Sequence, residues 1–194
     1  MSTDIRTELQ NHYVLFSVEG TAEGVVINKL VDAGFLLVPT SHIVKDRMTF
    51  KPFTRTRKTK DIAEHYLDEN YQLEASSKLL IARIIDSDTP KFILPHAYKE
   101  TAIVRNFITA PEIEMLVIYK ENATDLWLKQ SRKNKQLKPC EFCKQKLGMK
   151  DIKSAVFLNE YWSDAEELAN TIRQYAQKHS KQGRNNFTLA DLLL

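Results

Sequence analysis

Apolar positions along the chain fall into two dense runs and several helical stripes. Residues 13–18, Tyr-Val-Leu-Phe-Ser-Val, are β-branched and aromatic and almost continuously apolar. Such a run predicts a strand buried on both faces, as in a parallel sheet. It ends at Glu19-Gly20, and Thr21 offers an N-cap for a helix whose apolar positions Val25, Val26, Leu30 and Val31 repeat until Gly34 stops it. Residues 35–38 form a second short apolar run before Pro39, so 13–39 is expected to be a β-α-β unit with a right-handed crossover. The other dense run, 78–85, reads Lys-Leu-Leu-Ile-Ala-Arg-Ile-Ile and leads directly into Asp86-Ser87-Asp88.

Between these strands, 59–70 carries Ile62, Ala63, Tyr66 and Leu67 at helical spacing. Beyond them, 91–94 and 103–108 are candidate strands, and 112–121 reads as helix with Pro111 at its first turn, although Met115–Ile118 alone would also suit a strand. Helices are expected at 141–147, 154–161 and 164–179. Residues 180–186 are polar and glycine-containing, and 187–194 is a short apolar tail expected to pack on a partner or fray. Strand and helix alternate early and helix dominates late. The expected architecture is therefore one α/β domain over 1–179, a mostly parallel sheet flanked by helices with a helical part from about 136, followed by a flexible tail over 180–194.

Composition agrees with a folded chain: of 194 residues, 43% are hydrophobic and 27% charged, with five Gly and six Pro. No apolar run approaches the length of a membrane span and the first residues lack a secretory pattern, so a cytoplasmic location is expected. Two cysteines cannot build a disulfide framework. Net charge is only +3, but Arg47, Lys51, Arg55, Arg57, Lys58 and Lys60 follow one another with no acid between them and with Phe50 and Phe53 interleaved. A second basic stretch covers 129–150. Either is a solvated surface segment or a grip on a polyanion.

The candidate chemistry lies where the strands end. Ligands of open parallel sheets bind beyond the carboxyl ends of the strands. Glu19 ends one strong strand and Asp86 the other, and Asp88 shares a side with Asp86 if the chain stays extended. Three carboxylates can then converge on one cation, and oxygen-only ligation suits Mg²⁺ or Mn²⁺. Glu23 follows one turn into the helix, where the helix dipole alone also favours an acid. Asp-x-Asp is common turn chemistry as well. Finding carboxylates at the ends of both apolar strands favours the metal site.

Val14 to Gly20, Thr21-Ala22-Glu23 opening a helix, and Ile84-Ile85-Asp86-Ser87-Asp88 together resemble the Toprim domain of topoisomerases, primases and OLD-family nucleases. The Glu-Gly-x-x-Glu form looks most like the OLD and RloB-like branch found in bacterial defence systems. Ala110-Pro111-Glu112-Ile113-Glu114 with Lys120 is similar to a later segment of that branch. The resemblance implies Glu19 as an acid/base or metal-linked residue, Asp86 and Asp88 as metal ligands, and Glu23, Glu112, Glu114 and Lys120 as further candidates. It implies a Mg²⁺- or Mn²⁺-dependent nuclease with nucleic acid as partner, and the basic segment offers Arg47, Lys51, Arg55, Arg57 and Lys58 to grip its backbone. A stand-alone protein of this kind needs a protein partner for control, and the aromatic C-terminal helices suit a homodimer.

Two other function classes stay open. One is a Toprim-like scaffold that binds nucleic acid or a partner without turnover. The other is a sugar-nucleotide transferase using Asp-x-Asp, in which Glu19 has no role. Cys140 and Cys143 have the spacing of half a zinc site but no second pair, and read as half-buried helical residues. His96 reads as loop surface.

Overall fold

A computed structural model describes residues 4–67, 78–86, 92–179 and 186–194. Its centre is a parallel sheet of three long strands, β1 (Tyr13–Val18), β2 (Leu79–Ile85) and β3 (Ala102–Ile108), extended by a two-residue strand β4 (Asn186–Phe187). Spatial order equals chain order, with Val14 beside Leu80, Leu80 beside Ile103, and Phe107 beside Phe187. All of β2 and all of β1 but Tyr13 are buried, which explains why these strands lack polar alternation.

The pleat divides the apolar side chains between two layers. Val14, Phe16, Val18, Leu80, Ala82, Ile84 and Phe107 face the larger core. It is covered by α2 (Thr21–Asp32) and by the C-terminal helices α4 (Met115–Lys120), α5 (Thr124–Lys133), α6 (Pro139–Lys146), α7 (Ala155–Tyr161) and α8 (Ala165–His179). Leu15, Leu79 and Ile81 face the smaller core, under Val44, Leu94 and a short helix, α3 (Thr59–Ile62), that continues as a π-helical turn, Ala63–Leu67. The amino-terminal helix α1 (Ile5–Asn11) is capped by Asp4 and tied to β3, where buried Glu8 accepts from Arg105 at 2.6 and 2.7 Å. No helix among the described residues is long and apolar enough to cross a membrane.

The free edge of β1 is covered by the chain that follows α2. Val44 N–H donates to Val14 O at 2.9 Å, Thr54 N–H to Phe16 O at 2.8 Å, and Val18 N–H to Thr54 O at 2.9 Å. Isolated parallel bridges, Val14 with Ile43 and Ser17 with Thr54, mark this seam. The basic segment is thereby strapped along β1 and over its carboxyl end.

Several expectations are corrected. Residues 35–38 do not complete a β-α-β unit: β1 pairs with β2, and Leu36 instead makes one antiparallel bridge with Leu193. Their backbone partners lie in the C-terminal segment, and Leu36, Leu37 and Val38 are buried in the larger core. Residues 92–95 form no strand, and Lys91 lies outside the described residues. Residues 187–194, expected to pack on a partner or fray, are held within this chain: Phe187 pairs with Phe107, and Leu189, Leu192 and Leu193 are buried in the larger core. The same core thus spans both sides of the boundary expected at 179/180. Residues 180–185 lie outside the described residues. The N-cap of α2 is Gly20, not Thr21.

Candidate functional site

Three adjacent parallel strands deliver acids to one place. Beyond β1, Glu19 N–H continues the ladder to Ile84 O at 3.2 Å, and the Glu19 Oε2 accepts from Asp86 N–H at 3.2 Å. Glu19 and Asp86 are therefore locked side by side at neighbouring strand ends. Beyond β3, Thr109 donates through both its N–H and its hydroxyl to Ile85 O, at 2.8 and 3.2 Å. The cis Ala110–Pro111 bond follows, and a turn from Glu112 to Glu114 leads into α4.

Glu19, Glu23, Asp86, Glu112 and Glu114 all line one cavity of about 200 Å³, together with Gly20, Thr21, Ala22 and Lys153. Glu23 folds back over the start of α2, where the backbone N–H groups of Glu23 and Gly20 favour its ionised form. A Cβ at residue 20 would stand 2.8 Å from the Glu23 Oε2, so glycine is what lets the carboxylate close over the helix end. Burial pushes the Glu23 carboxyl up, and the charges of Glu19 and Asp86 add to the rise against those backbone bonds. Glu114, only 4% exposed, is pushed up by burial too, with Glu112 and Glu23 adding and Lys153 opposing. Lys153 Nζ stands 3.8 Å from the Glu114 Oε1; burial alone would lower its pKa, but Glu114 and Glu112 outweigh it and keep the ammonium charged. Glu112 accepts from Cys140 N–H at 3.1 Å, in the first turn of α6.

The donor chemistry of this cavity fits a hard divalent cation: five carboxylates face one ammonium, and every acidic donor is oxygen. The arrangement is open, however. Among the described residues no three His, Cys, Asp or Glu side chains gather closely enough to hold an ion as they stand. Glu19 Oε1 is taken by Arg57 Nη1 at 3.0 Å, and Asp88 lies outside the described residues.

Of the basic candidates, Lys51, Arg55, Arg57 and Lys58 line a second, wider cavity of about 640 Å³ beside the acidic one. Arg55 donates to the Thr21 Oγ1 at 2.8 Å, so two arginines reach from the basic segment to the acidic rim. Arg47 is exposed on the loop leading into it. Lys120 is not part of either cavity. It lies at the far end of α4, pairs with Glu167 at 2.7 Å, donates to Tyr161 O at 3.2 Å, and sits over the rings of Tyr161 and Trp162. His96 is exposed in a short 3-10 turn away from both cavities. Cys140 and Cys143 are buried in α6, and burial with the neighbouring Glu114 carboxylate pushes the Cys143 thiol up to about 12.

The residue that sequence reasoning missed is Lys153. It lies in a turn before α7, inside no apolar stripe and next to no motif, and only the folding of α6 and α7 against α4 brings it to Glu114. No protein-family model, no curated protein and no solved structure matches this chain.

Proposed function

We propose that this protein is a Toprim-type, Mg²⁺- or Mn²⁺-dependent phosphodiester hydrolase acting on nucleic acid. The observation that carries the reading is the gathering of Glu19, Asp86 and the Glu112–Glu114 pair, from the ends of three neighbouring parallel strands, around one cavity flanked by Arg55 and Arg57. Glu19 and Asp86, with Asp88, would hold the cation. When bound, the ion would polarise a phosphodiester and acidify a water. The chain's own groups would do the rest. Glu23, whose carboxyl is raised by burial, keeps a proton to higher pH than an exposed glutamate and can give it to a leaving oxygen. Lys153, held charged between carboxylates, can meet a phosphoryl oxygen. Lys51, Arg55, Arg57 and Lys58 bind the flanking backbone.

The engagement of both Glu19 oxygens, by Arg57 and by Asp86 N–H, favours a second reading in which the scaffold binds nucleic acid without turnover. Cleavage assays under Mg²⁺ or Mn²⁺ separate the two. Asp86→Asn and Glu19→Gln are each expected to lower the rate more than about a hundredfold, given that even groups supporting a metal ligand cost ten- to a hundredfold. Circular dichroism melts should leave both variants folded. Variants that cut as fast as the wild type would remove the site. Salt-dependent binding with no cleavage by wild type would leave the binding reading.

A further inference from the structure

We propose that the loop 46–51 is a base-stacking wedge, with Met48 and Phe50 inserting between bases of the nucleic acid that the basic segment holds; this rests on the nucleic-acid part of the reading above. Met48 is 88% exposed and Phe50 74%, the first and second most exposed large apolar side chains among the described residues. Both stand on one tight loop. Asp46 N–H donates to Lys51 O at 2.8 Å and Phe50 N–H to Asp46 O at 2.9 Å. The Asp46 Oδ1 accepts from Met48 N–H, Thr49 N–H and the Thr49 hydroxyl at 3.1, 2.8 and 2.9 Å. Its Oδ2 accepts from the hydroxyl of Tyr66, which is buried in the smaller core. The loop is thus bolted to the core through its one acid, and its two apolar side chains are held outward.

Phe50 has φ +56°, a backbone conformation that costs a bulky aromatic about 1–2 kcal/mol. Here that cost is accepted with the ring left largely in solvent. An aromatic kept in solvent by a rigid turn is arranged for an external partner. The flanks say which partner. Lys45, Arg47, Lys51, Arg55, Arg57 and Lys58 are all exposed around or after the loop, and the last four line a concavity. Arg57 and Arg55 lead from that concavity to the acidic rim at Glu19 and Thr21. A flat anionic bilayer has no use for a concave basic track ending at carboxylates, whereas a polyanionic strand lying in the track would pass its bases over the loop. Phe and Met are residue types that wedge between base steps next to basic groups.

The test uses metal-free buffer with EDTA, so that no cleavage intervenes. Single- and double-stranded oligonucleotides carrying 2-aminopurine at successive positions are titrated with wild type and with Met48→Ser/Phe50→Asn. Asn tolerates positive φ, so the loop keeps its shape. Wild type is expected to raise 2-aminopurine emission at one or two positions. The double variant should lose that rise and bind about tenfold more weakly, with an unchanged dependence on salt because no phosphate contact is removed. A double variant with wild-type emission and affinity overturns the wedge. Loop-dependent binding to phosphatidylserine vesicles, with no loop effect on oligonucleotides, overturns it in favour of a membrane. Absence of all oligonucleotide binding overturns both this and the nucleic-acid reading, while oligonucleotide binding with an inert loop overturns the wedge alone.

Discussion

Glu23 shows how one residue serves both helix and site. Its carboxylate closes over the N-terminus of α2, where the backbone N–H groups of Glu23 and Gly20 favour its ionised form. The same fold-back buries it to 8% exposure beside Glu19 and Asp86. Burial first, then those neighbouring charges, raise its folded pKa above the unfolded value near 4.5, and Glu114 is raised likewise. A carboxyl with a raised folded pKa binds its proton more tightly in the folded state, so it stabilises fully below about pH 4.5 and loses that contribution as pH rises through the folded value. Stability is therefore expected to fall with rising pH across this window. Glu23→Gln and Glu114→Gln should each flatten the slope, and the pair should flatten it further. Urea unfolding at a series of pH values measures this; a slope that neither variant changes would mean that these carboxyls are not perturbed.

At the scale of elements, α2 and the basic segment are fitted to each other at Gly24. A Cβ there would stand 2.6 Å from the Phe53 ring, so the helix must be bare at this position for Phe53 to seat. Phe53 directly precedes Thr54, whose backbone runs along β1, so this contact fixes where Arg55 and Arg57 emerge. Gly24→Ala gains helix propensity worth about 1 kcal/mol but overpacks a closed contact, which typically costs about 1–3 kcal/mol. A net loss of stability is expected, relieved when Phe53→Leu is added. A double-mutant cycle by denaturant unfolding should show coupling between the two positions, and simple additivity would refute the fit. None of this coupling is legible in the sequence, whereas β1 and β2 are, because burial on both faces leaves a continuous apolar run. The same logic puts Glu19, Glu23 and Asp86 together from the sequence alone. It fails for 35–38, because an apolar run records that a segment is buried and not what buries it. Glu112 and Glu114 became visible only through a resemblance, since the turn after β3 has no periodicity, and Lys153 left no trace at all.

For the whole molecule, the two layers have unequal means of closure. The smaller core is capped by short pieces, while the larger one is completed by the last residues of the chain. Leu37 N–H donates to Leu192 O at 2.8 Å and Leu194 N–H to Phe35 O at 3.0 Å, so the end of the chain and the segment after α2 satisfy each other's backbone groups. Leu192 is fully buried, Leu193 and Leu189 nearly so, and the Phe187 ring lies 5.6 Å from that of Phe107 on β3. These last residues therefore bridge β3, α8 and the segment after α2. Leu192→Ala is expected to cost about 2–5 kcal/mol, the range for emptying a closed leucine site. Leu194→Ala, at a position 59% exposed, should stay within about 0.5 kcal/mol. Guanidinium unfolding midpoints compare the two directly. Equal and negligible effects would describe a tail that merely rests on the surface. A large loss at Leu192 alone would establish that residues 187–194 are a structural part of the larger core.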